Sequence, residues 1–369
     1  RAPFRKHFYL LSGCTFAFRT SLLLRFAVQL VSILPVKMVI IAKKWIYAKA
    51  FAGFPTGENF RLEQETLGEL KDNEFLAEAL FLSVDPYMRP YMAQYPEGSV
   101  MIGGQVAKVI ASRNARFPVG CHVHGSFGWR THTICNPDEG EKNWAPYLLP
   151  DFGQEPLSLG VGVLGMPGCT AYFGFLEICR PKEGETVVVS GAAGAVGSLV
   201  GQIGKIKGCR VIGIAGTDEK CAWLRELGFD HAINYKTADI AAELKVAAPN
   251  GVDCYFDNVG GKTTEIVRGQ MNNFGRISVC GTISNYNAAQ PTMVVDPQRD
   301  YVWKQLRQEG FMCWRWLDRW VECIKQHLVW IKEGKLKYRE TFTDGFEQMP
   351  KAFIGMLNGE NVGKAVVKV

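Results

Sequence analysis

From residue 185 to residue 281 short apolar runs alternate with amphipathic ones, at a spacing that leaves few folds open. Strands are predicted at 185–190 (ETVVVS), 210–215, 232–235, 252–259 and 276–281, with helices predicted at 196–207, 218–227, 238–248 and 262–271. Strands joined by crossovers of this length form βαβ units and a parallel sheet covered on both faces. Right-handed crossovers leave a doubly wound sheet as the natural topology. Residues 39–150 read differently. Their short β-like runs, at 75–84, 104–111 and 121–125, are broken by Gly, Pro and Asn. The fold class expected is α/β: a Rossmann-type doubly wound parallel sheet with a second, β-rich domain. A helix predicted at 317–332 carries Trp320 and Trp330 among charged residues, which suits core packing, with a partner-binding face as the alternative.

The turn after the first of these strands reads Ser190-Gly191-Ala192-Ala193-Gly194-Ala195-Val196-Gly197. Small residues let the backbone approach a pyrophosphate, and a helix N-terminus directs free N–H groups and a positive dipole end at it. The spacing is G-x-x-G-x-x-G, and its place between strand and helix gives it weight. An NAD site usually sets Asp or Glu near the end of the second strand. Here that strand ends Ala215-Gly216-Thr217, with no carboxylate before Asp218. Lys220 and Tyr235 lie in this region and suit a 2′-phosphate, so NADPH/NADP+ is the expected cofactor.

Charge narrows the partners. Of the 42 Lys+Arg, six (Arg1, Arg5, Lys6, Arg19, Arg25, Lys37) fall in residues 1–37, which hold no acid; this leaves 36 against 36 Asp+Glu beyond. A neutral body has no charge excess to attract a polyanion, and no nucleic-acid or membrane partner is expected for it. Residues 1–37 remain open to three readings. They are upstream sequence with translation starting at Met38, a mitochondrial transit peptide, or an anchor or signal. The apolar stretch at 21–36 is interrupted by Arg25 and falls short of the roughly 20 residues of a spanning helix. The 11 cysteines are an odd number with no CxxC pair, which suits a reducing compartment. Cys121, His122, His124, His132 and Cys135 form the one cluster of metal-ligand type. Zinc competes there with ordinary strand and loop roles, since no second ligand pair follows at finger-like spacing.

Five motifs then stand in order. They are Val84-Asp85-Pro86-Tyr87-Met88-Arg89, Met166-Pro167-Gly168-Cys169-Thr170-Ala171-Tyr172-Phe173-Gly174, the glycine turn, Tyr255-Phe256-Asp257-Asn258-Val259-Gly260, and a tail running from Gly345-Phe346 through Gly363-Lys364. From Met38 to Val369 the chain resembles the zinc-independent medium-chain dehydrogenases/reductases, in their branch of prostaglandin and 2-alkenal reductases. The resemblance implies a GroES-like catalytic domain at 38–161 and 339–369, an NADP-binding Rossmann domain at 162–338, and a separate extension at 1–37. It implies a homodimer, a cytoplasmic location (mitochondrial if 1–37 is a transit peptide), and an active site between the domains. Gly194, Ala195, Val196 and Gly197 would cradle the pyrophosphate, and Lys220 and Tyr235 the 2′-phosphate. Asn258, Cys280, Gly281, Thr282, Ile283, Ser284, Asn285, Tyr286, Phe311, Met312, Cys313 and Asn361 would line the rest. Zinc-dependent relatives carry Gly-His-Glu where this chain has Gly103-Gly104-Gln105, and their early catalytic Cys has no counterpart around Ser83-Val84-Asp85.

A metal-free site suits reduction of an α,β-unsaturated ketone or aldehyde, an enone, alkenal or eicosanoid. Hydride goes to the β-carbon and charge collects on the carbonyl oxygen, where donors must already be placed. Tyr286 is the expected donor, with Tyr87 as a second catalytic candidate lining the substrate site. A phenol with a reference pKa of about 10 acts there as a donor. Trp303 stands where close relatives carry a Tyr, and Tyr301 lies two residues upstream. A zinc-free quinone reductase and a non-catalytic NADP-binding protein are the competing functions.

Overall fold

The computed structural model describes residues 39–140, 144–290 and 292–369, so the readings of residues 1–37 lie outside the described residues. Val39–Val369 is one compact unit. Its first strands are antiparallel. β1 (Ile41–Tyr47) pairs with β2 (Phe60–Thr66), and β3 (Phe75–Val84) pairs with β4 (Gln105–Ser112). β5 (His122–Gly125), β6 (His132–Cys135) and β7 (Tyr147–Leu148) follow, with β5 against β4 and β6 against β3. β3, β4 and β5 begin and end within a residue of the runs expected at 75–84, 104–111 and 121–125.

The parallel sheet comes next: β8 (Thr186–Ser190), β9 (Arg210–Ala215), β10 (His231–Asn234), β11 (Val252–Asp257), β12 (Met271–Val279) and β13 (Arg307–Gly310). Their order is β10-β9-β8-β11-β12-β13, all parallel, with the order reversing beside β8. The expected α/β doubly wound sheet is therefore present. β8 is buried along its whole length, as a central strand covered on both faces requires. The helix Gly197–Ile206 packs close on the sheet because Gly201 lacks a Cβ, which would lie 1.8 Å from the Phe229 ring. Thr217 and Asp239 start the next two helices by accepting backbone N–H bonds from their first turns.

Two expectations shift. The helix predicted at 262–271 stops at Gly269, and β12 begins at Met271 rather than 276. Asn272-Asn273-Phe274-Gly275 reads as a break, but the strand continues through it with Phe274 at a positive φ of 64° and an irregular register against β11. β13 (RQEG) was not foreseen, because a polar, mostly exposed edge strand carries neither β-branched residues nor alternation. The long C-terminal helix runs Trp320–Lys332, and both Trp320 and Trp330 are buried in the core. That supports core packing over a partner-binding face.

The last strands, β14 (Glu340–Asp344) and β15 (Lys364–Lys368), pair with each other in parallel and return to the otherwise antiparallel sheet, whose order is β14-β15-β3-β4-β5-β7. The loop entering β15 also touches the parallel sheet. Gly363 N–H donates to the Ala193 carbonyl at 2.9 Å, and Gly194 bridges Gly363. The two sheets are thereby joined at the glycine turn itself. Among the described residues no helix is long and apolar enough to cross a membrane.

Candidate active site

At the turn, Gly197 is required by close backbone approach: a Cβ there would lie 2.5 Å from Gly191 O and 2.8 Å from Ala192 Cα. Gly194 N–H closes the turn onto Gly191 O at 3.1 Å, and Ser198 N–H bonds Gly194 O. Ala195 N–H faces Gly363 O in the bridge, whereas the next two N–H groups, of Val196 and Gly197, have no hydrogen-bond acceptor among the described residues. Two unspent donors at the start of a ten-residue helix, beside the crevice where strand order reverses, fit a pyrophosphate.

Lys220 lies in the first turn of the helix Asp218–Glu226 after β9, and Tyr235 directly follows β10. The Tyr235 ring lies against Gly216, where a Cβ would be 3.0 Å from the hydroxyl, and its N–H bonds Ala215 O. Lys220 Nζ donates to Gly359 O at 2.6 Å. Burial, then repulsion from Lys236, lowers the Lys220 ammonium from its ordinary pKa. An anion here would relieve both. Asp218 is taken by Asn234 Nδ2 at 2.7 Å. Asn361 sits beside the Gly194–Gly363 bridge and donates to Gly363 O at 2.8 Å.

The loops after β11 and β12 are organised by Asp257, a residue that the sequence reading placed in a motif but gave no role. Its Oδ1 accepts from Ser190 Oγ at 3.0 Å, Tyr255 OH at 2.8 Å, and Val259 and Gly260 N–H at 2.9 Å; its Oδ2 accepts from Thr264 Oγ1. Cys280 and Gly281 N–H both reach the Asp257 carbonyl. Asn258 is tied to β8 through Ser190 Oγ and Ser190 O. Ile283 N–H bonds Asn258 O, Ser284 bonds Val259 O, and Asn285 Nδ2 bonds Thr282 Oγ1. This lattice fixes the loop Cys280–Tyr286 on the end of the sheet. Gly281 and Thr282 also line a cavity of about 190 Å³ with Asp257 and Arg268.

Tyr286 stands at the end of that loop, half-buried, with its hydroxyl 3.5 Å from Thr282 N–H. Burial raises its phenol above the usual range, partly offset by the Thr282 N–H. Tyr87 and Tyr91 come from the other sheet's one-turn helix Met88–Tyr91 and its N-cap, with rings 5.4 Å apart and nearly perpendicular. Burial, then Asp85, pushes the Tyr87 phenol up strongly. Tyr91 is electrostatically coupled to Cys313 and Tyr286, and Tyr87 to Cys313. Tyr87 and Tyr91 thus lie near Cys313, and Tyr91, which is not among the residues expected from the sequence, also lies near Tyr286. Four residues after Tyr87 on a helical turn was the available signal. Met312 reaches Tyr91, whose hydroxyl lies 3.5 Å from its Sδ, whereas Phe311 turns inward onto Gly174, Phe256 and Trp316. Phe311 therefore offers the cleft its backbone, not its ring. Burial pushes the Cys280 and Cys313 thiols up to about 12 and about 11, so both are neutral at pH 7. Trp303 is 75% exposed, and Tyr301 gives its hydroxyl to Gln308, so Tyr301 does not replace the missing phenol.

Beneath the cleft lies a buried ion pair: Lys364 Nζ donates to Asp85 Oδ1 and Val84 O, both at 2.7 Å, and Ser83 Oγ donates to Asp85 Oδ2. The donor set does not fit zinc. Asp85 is committed to an ammonium, Gly104 has no side chain, and Gln105 donates to Gly128 O. His124 stacks on Tyr147 and is held neutral by burial, its pKa lowered to about 4. Across β3, His132 faces Glu78. Among the described residues no three His, Cys, Asp or Glu side chains are grouped to hold a metal.

Comparison with known proteins agrees with this architecture. Residues 43–142 match the family described as the N-terminal domain of oxidoreductase, and residues 195–325 that described as zinc-binding dehydrogenase. Prostaglandin reductase 1 of Bos taurus is 51% identical over 329 residues, covering 89% of this chain and 99% of its own. The NADP(+)-dependent 2-alkenal reductase of Nicotiana tabacum is 40% identical over 341 residues, covering 89% of this chain and 97% of its own. CurA from Vibrio vulnificus, solved in complex with NADPH, superposes with a TM-score of 0.82 at 42% identity, covering 89% of this chain and 99% of that one.

Proposed function

Because the chain belongs to the zinc-independent medium-chain dehydrogenase/reductase family, with prostaglandin reductase 1 among its relatives, we infer that it is an NADPH-dependent reductase of the carbon–carbon double bond in α,β-unsaturated ketones and aldehydes. The carrying observation is Tyr286, a protonated phenol fixed by the Asp257 lattice at the end of the cofactor sheet and facing a second phenolic wall across the cleft.

The free N–H groups of Val196 and Gly197, beside Ala195, would bind the pyrophosphate, and Lys220 and Tyr235 the 2′-phosphate. Asn258 and the loop Cys280–Tyr286 would hold the remainder. Bound NADPH supplies hydride, which reaches the substrate's β-carbon. Tyr286 holds its O–H in a hydrogen bond to the carbonyl oxygen as charge collects there; the enolate then takes one proton at the α-carbon, either from solvent or from Tyr286, whose phenolate is re-protonated from solvent. Tyr87 excludes water from the same oxygen's surroundings. The substrates proposed are 15-oxo-prostaglandins and 2-alkenals, in keeping with the relatives' names. The protein is proposed to be a homodimer in the cytoplasm. The ten cysteines among the described residues are unpaired, as a reducing compartment allows.

NADPH oxidation on a 15-oxo-prostaglandin, 2-nonenal and a simple quinone tests the reading, with deuterated NADPH to locate the label. Deuterium on the β-carbon of either enone is expected. Turnover of the quinone alone would make it a quinone reductase, and tight NADPH binding without turnover a non-catalytic binder. Gel filtration with light scattering, and fractionation of the native source, check assembly and location.

A further inference from the structure

The one-turn helix Met88–Tyr91 is pinned by Met88 and Met92, both fully buried in the antiparallel sheet's core. That register puts Tyr87 and Tyr91, four residues apart, on one side, with Tyr91 N–H bonded to Tyr87 O at 3.1 Å. On the opposite wall Phe311 packs inward on Gly174 while the next side chain, Met312, is 39% exposed. Tyr91 OH reaches across to Met312 Sδ at 3.5 Å. Tyr91 also lies near enough to Tyr286 to interact electrostatically. An aromatic face and a polarizable thioether thus face the space next to the proposed proton donor. Nothing in the proposed reaction uses either.

Resting on the enone-reductase reading, we propose that Tyr91 and Met312 form a specificity clamp for the group on the substrate's β-carbon, favouring a flat aryl substituent over a flexible alkyl chain. Aromatic rings prefer edge or offset contacts with other rings, and thioethers contact ring edges. An alkyl chain gains the same area but loses rotamer freedom when held. The substrate would displace the hydroxyl–sulfur contact and take its place.

The test compares two methyl ketones that differ only at the β-carbon, 4-phenyl-3-buten-2-one and 3-nonen-2-one, at saturating NADPH. Tyr91→Ala and Met312→Ala should each lower the aryl-to-alkyl ratio of kcat/KM, by about tenfold for Tyr91→Ala, since several ring and sulfur contacts are lost together. Tyr91→Phe, which keeps the ring, should leave the ratio within about twofold. Met312 is a surface side chain, so its variant stays informative if Tyr91→Ala is unstable. A ratio unchanged in both alanine variants overturns the clamp and leaves the reductase reading standing. Binding of the saturated ketones 4-phenylbutan-2-one and nonan-2-one to the NADP+-loaded protein, followed by tryptophan fluorescence, separates the reverse case. Preference for the aryl ketone, lost in the alanine variants, upholds the clamp even if neither enone is reduced. Equal binding of the two ketones by the unaltered protein, with no turnover, sinks both.

Discussion

The two sheets meet at one cleft but prepare it by different means. The parallel sheet works through its backbone. Gly197 admits close approach, two N–H groups are left unspent, and the loops are tied down by main-chain bonds to Asp257. The antiparallel sheet works through side chains: the Lys364–Asp85 pair, His124 on Tyr147, and Tyr87 against Tyr91. A backbone site tolerates side-chain variation except where a Cβ intrudes. A side-chain site is sensitive wherever a buried polar group loses its partner. The largest effects should therefore fall on a glycine in one sheet and on an ion pair in the other.

Gly197→Val places new atoms against Gly191 O and Ala192 Cα, both backbone that cannot move aside. Displacing the turn removes up to two charge-assisted bonds, so NADPH affinity should fall by about a thousandfold. Titration of cofactor fluorescence measures this, and a loss below tenfold would mean that the backbone cradle is not the anchor. Lys364→Met leaves Asp85 buried with only Ser83 for a partner. It should cost about 3–5 kcal/mol of stability in urea unfolding, with much of the loss recovered in Lys364→Met/Asp85→Asn. Additive losses in the pair would break the contrast drawn here.

Tyr286→Phe keeps the ring and removes the donor. The kcat should fall by about a hundredfold while NADPH affinity stays within about twofold. Because burial raises this phenol, the unaltered enzyme should hold its activity up to pH values above the ordinary phenol range. An earlier alkaline loss assigned to Tyr286 would contradict its role as a protonated donor. Lys220→Ala should reduce the preference for NADPH over NADH by about 10–100-fold, the worth of one charge-assisted contact.

The same division explains what could be read in advance. Parallel strands are buried on both faces, so β8 (TVVVS) and β11 (VDCYFD) stand out as apolar runs, and the glycine spacing marks the turn from β8 into the helix Gly197–Ile206. The hub at Asp257 has no such signal, because five donors converge on it from β8, β11 and the helix after β11. β13 is polar because it is an edge, and β12 crosses Phe274 in a conformation that reads as a turn. In the antiparallel sheet, Lys364 lies 279 residues from Asp85 and looks like a surface lysine in the sequence. Motif resemblance supplied Tyr87 and Tyr286. Tyr91 lies in no motif that carried the resemblance, and only the pinned register of its helix brings it to the cleft.

The smallest effect tests the antiparallel sheet's dependence on uncharged burial. His124 titrates near 4 in the folded protein because burial disfavours its charged form, against about 6.5 in an unfolded chain. As pH falls below about 6.5 the unfolded chain takes up a proton that the folded one refuses, so stability declines until about pH 4 and then levels. His124 as a whole residue is half-buried, and the linkage is accordingly set at about 1–2 kcal/mol between pH 7 and pH 5. His124→Phe keeps the stack on Tyr147 and removes the titration. Its unfolding free energy should fall less than that of the unaltered protein over this interval, by about that amount. Parallel declines in the two proteins would place the acid sensitivity elsewhere, with the carboxylates of the ion pairs the first to examine.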